Sequence, residues 1–596
     1  MVLFKLFFFF RSCCSKICNF VSNIFYFVGF FYGLLTFLDF FLFLYWGLVF
    51  YFIYFYSVYY SIFFLPEIFL FCSIFHMIFI RVYYLFFYHF WVSGFNSDKK
   101  RHVYKKSFYE IFFSVNFNSI FKSSLLVLFC IYLALFFLIL SENMVYELTI
   151  SGSFSLFWFN SLYISVFLLF SKLFLIILHL IILYYLNEVF EFTPEFYIVY
   201  SISLFSSLLL ISSYNFIFFF VSLELFALSL FILISSYSNS RNLYFSSLKY
   251  FIISSFSSIL ILFGISIIYF SFGTFSYKFI SIIALFSLND SVNSLLYWNV
   301  SIGLILILLG LLCKLGAVPF HIWVIDAYQN FSYPMLLYLL SIPKFIFLYL
   351  IFYFYSFIFL SFYILFFYCL LFFSYLSIIV SSILLLYQMK IKNFLIFFST
   401  FNLSIMLFGL LVSTNVYTAS AFFLYVFIDI FIFTLFLVFL GFFDKHLVVW
   451  SSKNSASLKL TYLYDFFFIK NLSLKIIFFF FFIIFAGIPP FGFFLLKYNI
   501  LASLYSMNLG FFSVLLFLIF SAVNSFSFIR IVKVMFFFNK DNYYYYAVPK
   551  KIHFFYYTSS SFFFTFFLFF SLLTIMFFIY FFDIIFWFFF TLMFLS

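Results

Sequence analysis

Polar residues interrupt this chain only at intervals. Between them lie apolar runs at about 20–64, 66–92, 119–140, 162–186, 195–212, 215–236, 245–271, 300–320, 334–355, 358–387, 394–412, 416–442, 474–500, 509–532 and 560–594. A helix needs roughly 20 apolar residues to cross a hydrocarbon core, and most of these runs are at least that long. Residues 20–64 hold two crossings, or one crossing and an interfacial piece, whereas 279–286 are too few to cross. An outer-membrane barrel would alternate apolar and polar residues in segments of about ten, and no such alternation is present. The pattern predicts an all-α polytopic membrane protein with about 14 core transmembrane helices plus extra N-terminal spans.

Composition agrees. Of 596 residues 68% are hydrophobic and only 8% are charged, against roughly a quarter charged in a soluble domain. This excludes a water-soluble fold, disorder and collagen-like structure. The net charge of +12 is a topological signal. Basic residues gather in alternate connections: Lys99 to Lys106, Arg241, Lys390 with Lys392, Lys445 to Lys459, and Lys533 to Lys551. Intervening connections such as SENMVYELTISGSFS and LVSTN carry none. The positive-inside rule places the basic set on the matrix or cytoplasmic face. The Lys99–Lys106 run is thus a solvated loop and not a nucleic-acid patch.

A few ionisable residues lie deep in apolar runs, where each costs a few kcal/mol unless it is paired, hydrated or functional. They are Glu224, Lys249, Lys314, Lys344, Lys497 and Asp429, with Lys172 and Arg81 beside them. Lys249 and Lys497 are near enough to span ends to snorkel; Lys172 and Arg81 read as snorkelling or paired structural charges. Lys314 is about a turn from Pro319, and Lys497 follows Pro489 and Pro490. Proline removes a backbone donor and breaks a helix, and in membranes broken helices line polar cavities. Two proline-broken helices, each with a lysine, predict two inverted repeats of about five spans.

Other chemistries find no support. Cys13, Cys14, Cys18, Cys72, Cys130, Cys313 and Cys369 show no disulfide or cluster spacing. His76 and His89 would need a second histidine pair for haem, and only His179 remains within an apolar run. No GxGxxG or P-loop occurs.

At these residues the sequence resembles the chain 2 family of NADH–ubiquinone oxidoreductase, antiporter-like membrane subunits of respiratory complex I. The likeness begins at EFYIVYSISLFSSLLLISSYNFIFFFVSLELFALSLF and continues through SLKYFIISSFSSILILFG. It is strongest at CKLGAVPFHIWVIDAYQNFSYP and SIPKFIFLYL, and runs on through AGIPPFGFFLLKYNIL to SFIRIVKVMFF. It covers roughly residues 120–535.

The resemblance implies a proton path through Glu224, Lys249, Lys314, Lys344 and Lys497, with helix breaks at Pro319, Pro489 and Pro490 and relay candidates at Ser399, Asn402, Asp429 and His321. Three positions depart from the family pattern: Asn402 stands where relatives can carry histidine, Ile325-Asp326 replaces a Pro-Asp pair, and Leu496 occupies a glycine position. The chain divides into an N-terminal extension (1–95), N-terminal core spans (96–194), a first repeat (195–355), a second repeat (356–535) and a loop with a last helix (536–596).

The implied function is proton translocation coupled to quinone reduction, as a subunit of an enzyme complex. The chain itself is expected to hold no cofactor; NADH, FMN, iron–sulfur clusters and ubiquinone belong to other subunits. Expected partners are other membrane-arm subunits, including antiporter-like neighbours, and lipids such as cardiolipin, with no nucleic acid. A composition rich in Phe, Tyr, Ile and Asn suggests A+T-rich coding and a mitochondrially encoded, multi-pass protein of the inner membrane. The rival functions are a stand-alone sodium/proton antiporter and a scaffold subunit.

Overall fold

The computed structural model describes Glu67, Leu70, Phe71 and Ile74, and residues 155–537 apart from 158–161, 190–193, 237–240, 288–293, 359–361, 414–415, 454–462, 464–471, 490 and 507–509. All of them belong to one compact unit, Glu67–Ser596. The expected spans at 20–64, 119–140 and 560–594, most of the span at 66–92, and the break residue Pro490 lie outside the described residues.

A short antiparallel hairpin comes first, β1 (Ser155–Phe157) and β2 (Leu162–Ile164), with Leu156 opposite Tyr163. Helices follow: α1 (Val166–Val189), α2 (Pro194–Ile211), α3 (Phe216–Ser236), α4 (Arg241–Phe272), α5 (Tyr277–Ser287), α6 (Ser294–Leu315), α7 (Ile322–Tyr328) and α8 (Tyr333–Tyr353). After a π turn at Phe354–Ile358 come α9 (Tyr363–Tyr387), α10 (Ile391–Val412), α11 (Val416–Lys453), α12 (Leu472–Ala486), α13 (Gly492–Ser506) and α14 (Gly510–Phe537). Among the described residues nine helices are long and apolar enough to cross a membrane, and Glu195–Ile211 and Lys475–Ala486 are shorter apolar helices. The chain is an all-α polytopic membrane protein.

Three apolar runs resolve differently from a simple reading of hydropathy. The run at 162–186 opens as strand β2, and the helix starts only after Ser165, whose hydroxyl accepts the Leu168 N–H at 3.2 Å as an N-cap. The run at 474–500 is two helices, α12 and α13, and the helix in the run at 300–320 stops at Leu315, before the short α7. The eleven-residue α5, too short to span, buries Tyr277, Ile280 and Ala284 and exposes Phe279 and Ile282, as an interfacial helix would.

Helices that are apolar all round belong in the centre of a bundle. Every residue of α8 is buried, as is all of α10 except Lys392 and Asn393. The described part of α11 packs beside them, whereas α4 and α14 turn large apolar side chains such as Ile252, Phe263, Phe511 and Phe526 outward. The three central helices carry Lys344, Ser399, Asn402 and Asp429, so the fold removes these polar groups from both water and lipid.

Candidate functional site

Both broken helices are built on one local device. The first half-helix ends, a glycine takes a left-handed φ of 70°, and a proline and a phenylalanine follow. In the first the sequence is Gly316-Ala-Val-Pro319-Phe320, and in the second Gly487-Ile-Pro489-Pro490-Phe491. Only glycine enters this backbone region without penalty. The reversed backbone lets Ala317 N–H bond the Leu312 carbonyl at 3.1 Å, and Gly487 N–H bond the Ile484 carbonyl at 2.9 Å. These bonds close helix ends that would otherwise leave carbonyls unmet at membrane depth.

The two lysines approach these breaks from opposite sides. Lys314 sits in the last turn of α6, two residues before Gly316. Lys497 sits on α13, the second half-helix, and reaches back so that a methyl added at Gly487 would lie 2.9 Å from its Nζ. Each ammonium therefore faces the negative end of a half-helix dipole, a favourable place for a cation. Neither Nζ has a hydrogen-bond partner among the described residues. The Lys497 head is instead flanked by the rings of Phe493, at 5.2 Å, and Phe401, at 5.9 Å.

Within electrostatic reach of Lys497 lies a connected polar cluster. Lys344 Nζ donates to the Ser399 carbonyl at 2.9 Å and pairs with Asp429 Oδ2 at 3.5 Å. Asn402 Nδ2 donates to Asp429 Oδ1 at 2.5 Å. Asp429 also acts electrostatically on Lys497. Tyr425, one turn before Asp429, buries a hydroxyl that has no hydrogen-bond partner among the described residues. The structure thus brings Lys344, Asn402, Asp429 and Lys497 into one neighbourhood, with Ser399 contributing its carbonyl; the Ser399 hydroxyl is turned to the Ile396 carbonyl.

The first half is looser. Glu224, midway along α3, acts on Lys314 across space without a direct contact, and its Oε1 is buried without a hydrogen-bond partner. Lys249 does not join them. It pairs at 2.7 Å with Asp326 of α7, and both side chains are about half exposed, 52% and 45%. This lysine occupies the position of a snorkelling residue, and Lys497, 5% exposed, does not. His321 precedes α7 with its Nδ1 buried and unpartnered among the described residues. Pro319 and Pro489 are exposed at their breaks.

Lys172 makes a direct ion pair with Glu67, both buried, as a paired structural charge would. Sequence reading missed that partner, because nothing local links residues 105 apart. It also missed the shared glycine–proline–phenylalanine spacing, which was visible in the sequence. Among the described residues no group of three or more His, Cys, Asp or Glu comes together as a metal site.

A helical bundle in which two glycine–proline breaks bracket buried lysines is the architecture of antiporter-like membrane proteins. The transmembrane model described as "NADH:quinone oxidoreductase/Mrp antiporter" matches residues 213–524, just over half of the chain. The protein belongs to that family.

Subunit N of NADH-quinone oxidoreductase from Ruthia magnifica subsp. Calyptogena magnifica is 25% identical over 246 residues, 41% of this chain and 50% of that protein. The Coxiella burnetii subunit N is 27% identical over 346 residues, 58% of this chain and 68% of its own. The chain therefore spans from half to just over two thirds of the length of these relatives. Among solved structures, a chain of the archaeal membrane-bound sulfane sulfur reductase superposes with a TM-score of 0.63 at 18% identity, covering 81% of this chain and 94% of that one. A chain of Thermus thermophilus respiratory complex I gives 0.53 at 20%, covering 70% and 85%. A chain of the Mrp complex from Dietzia sp. DQ12-45-1b gives 0.59 at 16%, covering 70% and 76%. These likenesses speak for the fold, and the family match agrees with the resemblance drawn from the sequence.

Proposed function

We propose that this chain is a proton-translocating membrane-arm subunit of an NADH:quinone oxidoreductase, working beside other antiporter-like subunits. The observation that supports the reading is the buried Lys344–Asp429–Asn402 cluster within electrostatic reach of Lys497, together with Lys314 and Lys497 themselves, each set at a helix break without a hydrogen-bond partner among the described residues. An ammonium in that state is costly, and a proton is the species whose arrival or departure changes the cost. Glu224 and Lys314 form the entry side of the path, Lys344 and Asp429 its middle, and Lys497 the exit. Lys249, paired with Asp326 at the surface, adjusts access to the entry side.

The magnitudes suit such a device. Moving one charge against 100 mV takes about 2.3 kcal/mol. A pKa unit is worth about 1.36 kcal/mol, so a swing of roughly 1.7 units at one station suffices. Groups buried as deeply as these can change by about 3–5 units. The drive comes from quinone reduction in neighbouring subunits, which hold the NADH, FMN, iron–sulfur and ubiquinone sites; this chain's role is to move protons. Its aromatic, A+T-type composition supports a place in the inner mitochondrial membrane.

The test is Lys314→Met in the assembled complex. The expected result is a lower ratio of protons moved to electrons transferred, with the complex still assembled. An unchanged ratio would overturn the reading. Sodium-dependent proton transport by the isolated chain would favour a self-standing antiporter instead.

A further inference from the structure

One buried polar side chain on α14 has no part in the path above. Asn524 is fully enclosed, and neither its Oδ1 nor its Nδ2 has a hydrogen-bond partner among the described residues. An amide left unpaired in an apolar interior is costly. Lipid and neighbouring subunits do not reach it, because this chain alone encloses the side chain.

Ring contacts fix its level in the bundle. Phe528, one turn after Asn524, meets Phe398 of α10 at 4.9 Å between centroids and Phe485 of α12 at 5.8 Å. Phe485 in turn lies 4.8 Å from Phe398 and 6.3 Å from Phe433 of α11. The four buried rings form one dry layer across four helices. Next to it each helix carries something polar: Asn402 one turn after Phe398, Asp429 one turn before Phe433, Asn524 one turn before Phe528, and the break at Gly487 just after Phe485. The helices α10 and α14 run in opposite directions, since Phe408 meets Phe517 at 6.2 Å. Asn402 and Asn524 therefore lie on the same side of the layer, between the two ring contacts. Lys497 Nζ returns to that level, close to Gly487 and 5.9 Å from the ring of Phe401.

The unpartnered atoms there are Asn402 Oδ1, both amide atoms of Asn524 and Lys497 Nζ. Rings bridge α10 and α14 at either end, and asparagine is much shorter than phenylalanine, so the asparagines leave room for a small molecule between them. A cation there would face the Lys497 ammonium, and an anion the Asp429 carboxylate. Water faces neither penalty: it donates to the amide oxygens and accepts from the amide N–H and the ammonium.

We infer that Asn524 and Asn402 form a water-binding site at the second helix break, and that Asn524 is through it a positioning residue for Lys497. Water held there accepts from the ammonium while Lys497 is charged and donates to the amine nitrogen once it is not. Both protonation states are thus satisfied in place.

The inference rests on the pumping role proposed above, so Lys314→Met is measured in parallel. In membranes holding the intact complex, Asn524→Leu, similar in size but apolar, is expected to lower the proton-to-electron ratio to the level of Lys497→Met. Asn524→Ser, smaller but with a hydroxyl and space for a further water, is expected to keep the ratio near wild type. A packing role alone predicts the opposite order. A wild-type ratio in Asn524→Leu overturns the site, and a raised melting temperature with it would mark the amide as simply unpaired. A loss in Asn524→Ser as large as in Asn524→Leu overturns it as well. If Asn524→Leu prevents assembly, Asn524→Thr and Asn524→Val, matched in shape and differing by one hydroxyl, decide in the same way. A wild-type ratio in Asn524→Leu beside a reduced one in Lys314→Met removes this site and leaves the pump reading standing. An unaffected Lys314→Met overturns both.

Discussion

At the scale of single residues, the Lys344–Asp429 pair makes the sharpest claim. Removing one partner of a buried ion pair strands the other and costs about 3–5 kcal/mol, whereas replacing both by apolar groups is often neutral. Asp429→Leu should therefore lower the thermal stability of the complex clearly. Lys344→Met combined with Asp429→Leu should restore much of that stability, and proton pumping should stay lost in both. Melting curves and pumping measured on the same preparations separate the two effects. Gly487 supplies a second contrast. Alanine there pays about 1–2 kcal/mol for its left-handed backbone, and its methyl presses on Lys497 Nζ at 2.9 Å. Gly273 has the same backbone, φ 69°, with nothing within 4 Å of an added methyl. Gly487→Ala should reduce pumping, and Gly273→Ala should leave it intact.

At the scale of elements, what could be read in advance follows from which signals are local. Hydropathy marks a span whatever its neighbours, so Lys314, Lys344 and Lys497 stood out as charges in apolar runs. A proline–lysine pairing is local too, and both helix breaks were legible from it. Pairings between helices are not. Asp429 sits 85 residues from Lys344, and no periodicity could join it to that lysine or separate Lys249, bound to Asp326, from the buried set. The hairpin at 155–164 was hidden for a related reason, since three strand residues read as the start of an apolar helix until Ser165 caps it.

Close packing of α4 on α6 is another such non-local fact. A methyl at Gly310 would meet the Ser257 carbonyl at 2.8 Å and the Ile261 side chain at 2.4 Å. Small residues allow such approach in membranes, where backbone proximity stands in for a hydrophobic drive. Gly310→Leu should push the helices apart, cost about 1–3 kcal/mol, and move Lys314 one turn further along. Ile261→Ala added to it should recover part of both assembly and pumping, since it empties some of the space the leucine needs.

At the scale of the whole molecule, direction decides what the stations can do. A proton path has an entry and an exit only if the chain is inserted one way, and the basic connections supply that choice. The turn between α9 and α10 carries Lys390, and Met389 beside it is exposed; the α5 helix, on the opposite face by the count of crossings, exposes Lys278. In closed, right-side-out membranes a membrane-impermeant maleimide should label Lys278→Cys above the native cysteine background and spare Met389→Cys. Inverted vesicles should exchange the two results. That outcome puts the N-terminal end of α8 on the side from which the proposed pump draws protons. Labelling of both positions from one side would mean that the crossings between them are miscounted. Labelling with the two sides reversed would keep the bundle and its charges but make the Glu224–Lys314 side an exit and Lys497 an entry, so that the same path would carry protons the other way.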